Sequence, residues 1–411
     1  MAIPHDIAVL RDLALRYRDV CDADDQHEKR DLWRRHNSLQ MTRPPIYVRA
    51  IPRDDEPALQ ITACEDPDWR SYEGWLRLML CHAAIGDDYT FDRWISVPAA
   101  RVLPPEGLWG LRINRIPSPE RKGSWMFDPP IKELADSRKM VAPKHEIDEA
   151  ATAARHAKVQ DALGDILPVI VDRAPAWQVW HADIANSLAY LRGLEQIMWD
   201  MADNPEWLLE TLAFMRDGIL AAQAQAEAAG DWRLCDHQNQ AMTYAEELPD
   251  PAPDIEPVTR KQLWVFCAAQ EYAAVSPRMH DEFLLQYQQP IIESFGLAAY
   301  GCCEDLTEKI DMLRQLKNLR RIAVAPRANL RRCAEQIGTD YVISWRPNPT
   351  ETVSYGFDPE HIRRTTRQTL DMTRGQHIDI TLKDIETVEG EPWRLREWVR
   401  IVREVIDDMG Y

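Results

Sequence analysis

Apolar residues in this chain recur with two spacings. Over residues 1–40 they fall at helical intervals, interrupted by the polar, acidic run Asp22 to Asp25. The pattern predicts a helix, a break and a second helix through Trp33. Arg43-Pro44-Pro45 ends that helix, and Ile46-Tyr47-Val48 reads as a short strand. Residues 69–85 return to helical spacing, with Trp75, Leu78, Met79 and Ala83 on one face. Between 92 and 145, strand-like pieces such as Trp94 to Val97 and Leu108 to Ile113 are separated by proline-rich turns.

From about residue 147 the pattern becomes regular. Asp148 to Leu163 predicts a helix that leads into a strand, Leu167 to Val171. Leu188 to Gly230 predicts two helices divided at Asp203-Asn204-Pro205, where Asp203 or Asn204 can cap and Pro205 suits the first helical position. Short apolar strands then follow at Trp232 to Cys235, Leu263 to Ala268, Leu297 to Ala299, Arg321 to Ala325, Tyr341 to Ser344 and Ile378 to Leu382. Helices are predicted over 278–294, 305–317, 327–338, 358–374 and 391–409.

Short buried strands alternating with helices imply parallel β/α units. Eight or nine candidate strands suit an α/β fold of the (β/α)8 TIM-barrel type. The expected organisation is an N-terminal helical extension over 1–45 and a barrel over 46–411, with an inserted hairpin region at about 97–147. A doubly wound open sheet is the competitor, and it lacks its glycine-rich first turn here.

Charge narrows the partners. The formal net charge is −18, which disfavours nucleic acid and anionic membranes and leaves a small molecule as the expected ligand. No apolar run approaches a membrane span, and the first residues do not read as a secretory signal. The eight cysteines show no disulfide-like spacing, so a reduced, cytoplasmic setting is expected. No P-loop, HExxH or GxSxG pattern occurs.

In a barrel, function collects where strands end at the carboxyl face. The most informative strand end is Tyr300-Gly301-Cys302-Cys303-Glu304-Asp305. Thiolates and carboxylates both bind zinc, which makes Cys302, Cys303 and Glu304 candidate ligands. Alternation along a strand predicts that one of the two cysteines faces the mouth. The plainer alternative is a small buried thiol, with Glu304 capping the following helix. Lys383 and Asp384 end the last strand and could hold a carboxylate, tune a base or ligate a metal. Arg346 and Asn348 lie in a rigid Arg-Pro-Asn-Pro turn suited to an anion contact. Asp236, His237 and Glu271 follow earlier strands; His237 is the best-placed imidazole, Glu271 could be a general base or a ligand, and Asp236 could stabilise a cationic intermediate.

Three stretches carry a family resemblance. They are Gly193-Leu194-Glu195-Gln196-Ile197-Met198-Trp199-Asp200-Met201 with Asn204-Pro205-Glu206; Ser276-Pro277 leading into Asp281-Glu282-Phe283 and Tyr287-Gln288-Gln289-Pro290; and the glycine-punctuated order of the last four strands. Over about 190–407 the chain resembles the uroporphyrinogen decarboxylase superfamily. That resemblance implies a (β/α)8 barrel, and a homodimer. The superfamily includes metal-free decarboxylases and zinc-dependent methyltransferases that work with corrinoid proteins. In the methyltransferases a His-x-Cys motif and a later cysteine hold zinc. Tyr300-Gly301-Cys302 falls on the first of these and Asp384 near the second. The reading that follows is a metal-dependent methyltransferase, with zinc held among Cys302, Cys303, Glu304 and Asp384. Glu271, His237, Lys383 and Asp384 are then the catalytic candidates, and Arg346, Asn348, Asp236 and Tyr300 the substrate-binding ones. A metal-free decarboxylase or lyase and a non-catalytic tetrapyrrole-binding protein are the alternatives.

Overall fold

Alternating side chains along the central strands point into two different environments, and this sets the architecture. A computed structural model describes residues 4–120 and 123–411. Its strands are β1 (Ile46–Val48), β2 (Ile95–Pro98), β3 (Asn114–Ile116), β4 (Met126–Asp128), β5 (Val169–Asp172), β6 (Trp264–Cys267), β7 (Leu297–Tyr300), β8 (Leu319–Val324), β9 (Val342–Trp345) and β10 (Ile378–Leu382). Six of them form one parallel sheet in the order β1-β10-β9-β8-β7-β6, curled into a half-barrel. β2 and β5 form a separate parallel pair, and β3 and β4 an antiparallel hairpin.

On the concave face, Trp264 and Phe266 of β6 meet Leu297 and Ala299 of β7, together with Trp180 and Cys302. The opposite residues, Val265, Cys267, Ala298 and Tyr300, join the large cluster shared with the surrounding helices. The period of two in these strands is therefore a division between interior and helix layer. A further cluster joins Leu10, Leu13 and Tyr17 of the first helix, His5–Cys21, to Leu76, Ile95, Val97 and Leu163. That packing seats the N-terminal helix on the helices Pro67–Ala83 and Glu149–Leu163 and on the β2/β5 pair.

The interior also holds a buried polar network. The Arg321 guanidinium donates to Asp379 (2.6 Å), Ser344 (3.2 Å) and Asn37 (2.7 Å). Asp379 accepts in addition from the Ser344 and Thr381 hydroxyls, at 2.8 Å each. Both oxygens of that carboxylate are thereby engaged, as a buried charge requires.

Several elements differ from the sequence expectation. Trp232 to Cys235 is not a strand: Leu234–Asp236 is a 3₁₀ turn whose Asp236 carboxylate accepts the Arg233 N–H at 2.7 Å. Leu108 to Ile113 is folded into turns by Gly107 and Gly110, both at positive φ. The helix expected over 305–317 shrinks to Ile310–Leu313, because Asp305 accepts the Thr307 N–H and hydroxyl and holds a local turn. Gly193, at φ +93°, divides the 188–230 region once more, into Ala185–Arg192, Leu194–Asp203 and Pro205–Ala229. The Asn204 amide does not cap the last of these and donates instead to Asp200 at 3.0 Å. No helix among the described residues is long and apolar enough to cross a membrane.

Candidate functional site

All six strands of the half-barrel run parallel, so their carboxyl ends share one edge. β7 ends at Tyr300, and Gly301 at φ +98° turns the chain inward. A Cβ at Gly301 would lie 2.6 Å from Leu306 Cδ1 and 3.2 Å from Ala323 Cβ. The turn takes Cys302 and Cys303 out of strand alternation. Both thiols consequently reach the same group, and the expectation that only one faces the mouth does not apply. Lys383 Nζ, from the end of β10, donates to Cys302 Sγ and to Cys303 Sγ, each at 3.0 Å. The two sulfurs are 3.5 Å apart. Asp384 completes the cluster, 3.0 Å from Lys383 Nζ and 3.3 Å from Cys303 Sγ. Cys302 is buried, while Cys303 and Asp384 are exposed.

This geometry favours one shared thiolate. The Cys303 S–H donating to it and the Lys383 charge pull the Cys302 thiol down to about 5, against the opposing effect of burial. Cys303 is pushed up by the same contact, so the pair carries a single negative charge at neutral pH. Burial works against the Lys383 ammonium, but the Cys302 sulfur outweighs it and raises the lysine above its ordinary range. Gln240 adds a third donor to Cys302 Sγ at 3.1 Å.

On the other side of Cys302 lies an acidic corner. Glu304 is buried and accepts the Ala269 and Cys302 N–H groups at 2.8 Å each, which ties the end of β6 to the end of β7. It neither caps a helix nor reaches the lysine cluster. Burial raises its pKa, partly offset by those N–H groups. Burial also lifts Glu271 to about 7, with Asp183, Glu304 and Cys302 adding to the shift. Asp183 is lifted by burial to about 6.

The remaining sequence candidates lie elsewhere. Tyr300 points into the helix layer, its hydroxyl donating to Gln288 Oε1 at 2.9 Å and lying 3.0 Å from His280 Nε2. Its place on the outward face of β7 follows from strand alternation. Asn348 serves its own turn, donating to Glu351 at 2.8 Å and accepting the Thr350 N–H at 3.1 Å. His237 Nδ1 accepts the Trp264 N–H at 3.1 Å, replacing a ladder contact at the edge of β6. Burial lowers its pKa to about 4, which keeps the ring neutral. Asp236 holds the preceding 3₁₀ turn, and burial, with Asp172 nearby, raises it to about 7. Arg346 is buried at the end of β9, within electrostatic range of Cys302 and Asp379.

Sequence reasoning missed Gln240 and Asp183. Gln240 lies in irregular chain, and Asp183 in the loop after β5, eleven residues beyond the strand's end at Asp172. A rule that looks only just past each strand cannot reach either.

The expected zinc ligands Cys302, Cys303, Glu304 and Asp384 are engaged with groups of the protein itself. Among the described residues no three His, Cys, Asp or Glu side chains form a metal-holding group. The point between the two sulfurs and Asp384 is taken by the Lys383 ammonium, and both Glu304 oxygens are occupied by backbone N–H groups.

No protein-family model matches the chain, and no curated protein matches it in sequence. Among solved structures, a methyltransferase from Methanosarcina mazei has a similar fold, with a TM-score of 0.53 and 13% identity. The match covers 91% of this chain and 97% of that one.

Proposed function

We propose that this chain is a methyltransferase-like enzyme on a complete (β/α)8 barrel, with its site at the Cys302–Cys303–Lys383 cluster. The observation that carries the reading is Lys383 Nζ at 3.0 Å from both sulfurs, at the carboxyl edge of a fold similar to that of a methyltransferase. Methyl transfer to an acceptor with an ionisable proton needs two things: a group that takes the proton, and a cation that stabilises the nucleophile so formed. The cluster supplies both from side chains. The Cys302 thiolate takes the proton of a small acceptor, and Lys383 holds the resulting anion. That anion attacks the methyl carbon. The bond from the methyl group to its donor breaks, and its electron pair stays on the donor.

Superfamily resemblance supports a methylated corrinoid protein, or a small methylated molecule, as donor. Lys383 supplies the positive charge at the point that the two sulfurs and Asp384 share. Glu271, protonated in part near neutrality, lies within electrostatic range of the same sulfur.

The test is methyl transfer from methylcobalamin to a small thiol, followed by the loss of methylcobalamin absorbance. Wild-type protein is expected to accelerate the reaction and C302S to abolish the acceleration. Equal rates for wild type, C302S and buffer alone would overturn the assignment.

A further inference from the structure

Arg346 carries an unmet demand for an anion. It follows the last residue of β9, and its backbone N–H donates to Val324 O at 3.0 Å, extending the ladder by one step. It lies two residues beyond Ser344, whose side chain points to the interior, so strand alternation turns Arg346 the same way. The residue is 3% exposed. Its Nε and Nη1 atoms are buried and have no hydrogen-bond partner among the described residues.

The neighbouring anions are already committed. Asp379 accepts from Arg321, Ser344 and Thr381. The Cys302 thiolate is held by Lys383 and Gln240. Burial lowers Arg346 to about 10, and the group still carries its charge at neutral pH. Arg321 and Lys383 also lie within electrostatic reach, and each already faces its own anion, Asp379 for the first and Cys302 with Asp384 for the second. A buried guanidinium keeps unpaired donors only where something else supplies the acceptors. Nε and Nη1 lie on different edges of the planar group, and each edge, completed by Nη2, matches the two oxygens of a carboxylate.

We propose that Arg346 binds a carboxylate group of the substrate, and so makes the site selective for a small carboxylic acid. The inference rests on the methyl-transfer reading for what happens to the bound molecule, but not for the binding itself. The carboxylate anchors at β9 while the reacting end of the molecule lies toward Cys302 and Lys383.

Succinate is the probe. Its binding is measured by thermal shift and calorimetry against potassium chloride of matched ionic strength, with inorganic phosphate as a parallel arm. Succinate is expected to stabilise the wild-type protein. R346Q should weaken its binding by about tenfold or more, and R346K should fall between, since the charge stays and the fork is lost. If R346Q does not fold, R346K decides: weaker binding supports the assignment and unchanged binding overturns it. Succinate binding equal in wild type and R346Q, no effect beyond the salt control, or tighter binding of phosphate than of succinate would each overturn it. A wild type that binds succinate in an Arg346-dependent way but shows no methyl transfer would remove the reaction and leave the carboxylate site standing.

Discussion

Lys383 Nζ stands 3.0 Å from Cys302 Sγ, although β8 and β9 separate their strands. In a flat sheet, three strand spacings of ~4.8 Å would hold the two backbones ~14 Å apart. A lysine spans less than half of that. The contact therefore exists because the sheet is curled, and the curl itself assembles the thiol–lysine pair.

That pair sets a pH signature. Iodoacetamide should alkylate wild-type Cys302 at a rate that falls as pH drops through about 5, where the thiolate is protonated. In K383M the inflection should move up by about one unit or more, because the cation that favours the thiolate is gone. Mass spectrometry of the alkylated peptide reads both curves. Superimposable profiles would mean that Lys383 does not tune the sulfur.

Zinc should not compete with the lysine. Wild-type protein equilibrated with zinc and freed of excess should retain well under one equivalent, and its Cys302 alkylation rate should be unchanged. Stoichiometric retention by elemental analysis, with protection of both thiols, would show that the lysine yields its place.

Gly301 positions the thiols. At φ +98°, with Leu306 Cδ1 in the way of a Cβ, G301A should lose about 1–3 kcal/mol of stability in urea unfolding. Alkylation of Cys302 in that variant should also lose its low-pH reactivity. A variant as stable as the wild type would show that the turn can be rebuilt without glycine.

The interior ion pair should be costly to break. D379N leaves Arg321 buried beside a neutral amide, and a loss of about 3–5 kcal/mol is expected. Burial opposes the Asp379 charge, but Arg321 outweighs it and holds the carboxylate well below its ordinary range. A depressed carboxylate contributes stability in full above its unfolded value of about 3.9, and that contribution drains away as pH falls further. The acid limb of the unfolding profile should therefore flatten in D379N, and an unaltered limb would assign acid sensitivity to other groups.

How much of this was legible in the sequence depends on distance along the chain. β1 and β10 lie where the apolar runs Ile46-Tyr47-Val48 and Ile378 to Leu382 place them, because a buried parallel strand is a local pattern. The strand-end rule led to Cys302, Cys303, Lys383 and Asp384, four residues that do meet. It could not foresee that a glycine turn would bring both thiols onto one lysine. Nor could it tell Tyr300, facing outward, from Cys302, facing inward, since Gly301 resets the alternation between them. The 232–238 segment misled for a different reason. Its apolar run is strand-like, but the Asp236 carboxylate and the His237 ring take the backbone N–H groups of Arg233 and Trp264. Side chains there replaced a ladder, and hydrophobic spacing carries no trace of that.

Asn37 gives the N-terminal helices a structural duty toward the half-barrel. Its side-chain oxygen accepts from Arg321 at 2.7 Å, and its amide donates to Met242 O and Tyr244 O at 2.9 and 2.8 Å. A protein trimmed to begin at residue 46 would unseat a buried arginine and two carbonyls in one cut. The helices before β1 thus act as the stopper of the vessel, and shortening or shuffling of this fold has to begin upstream of them.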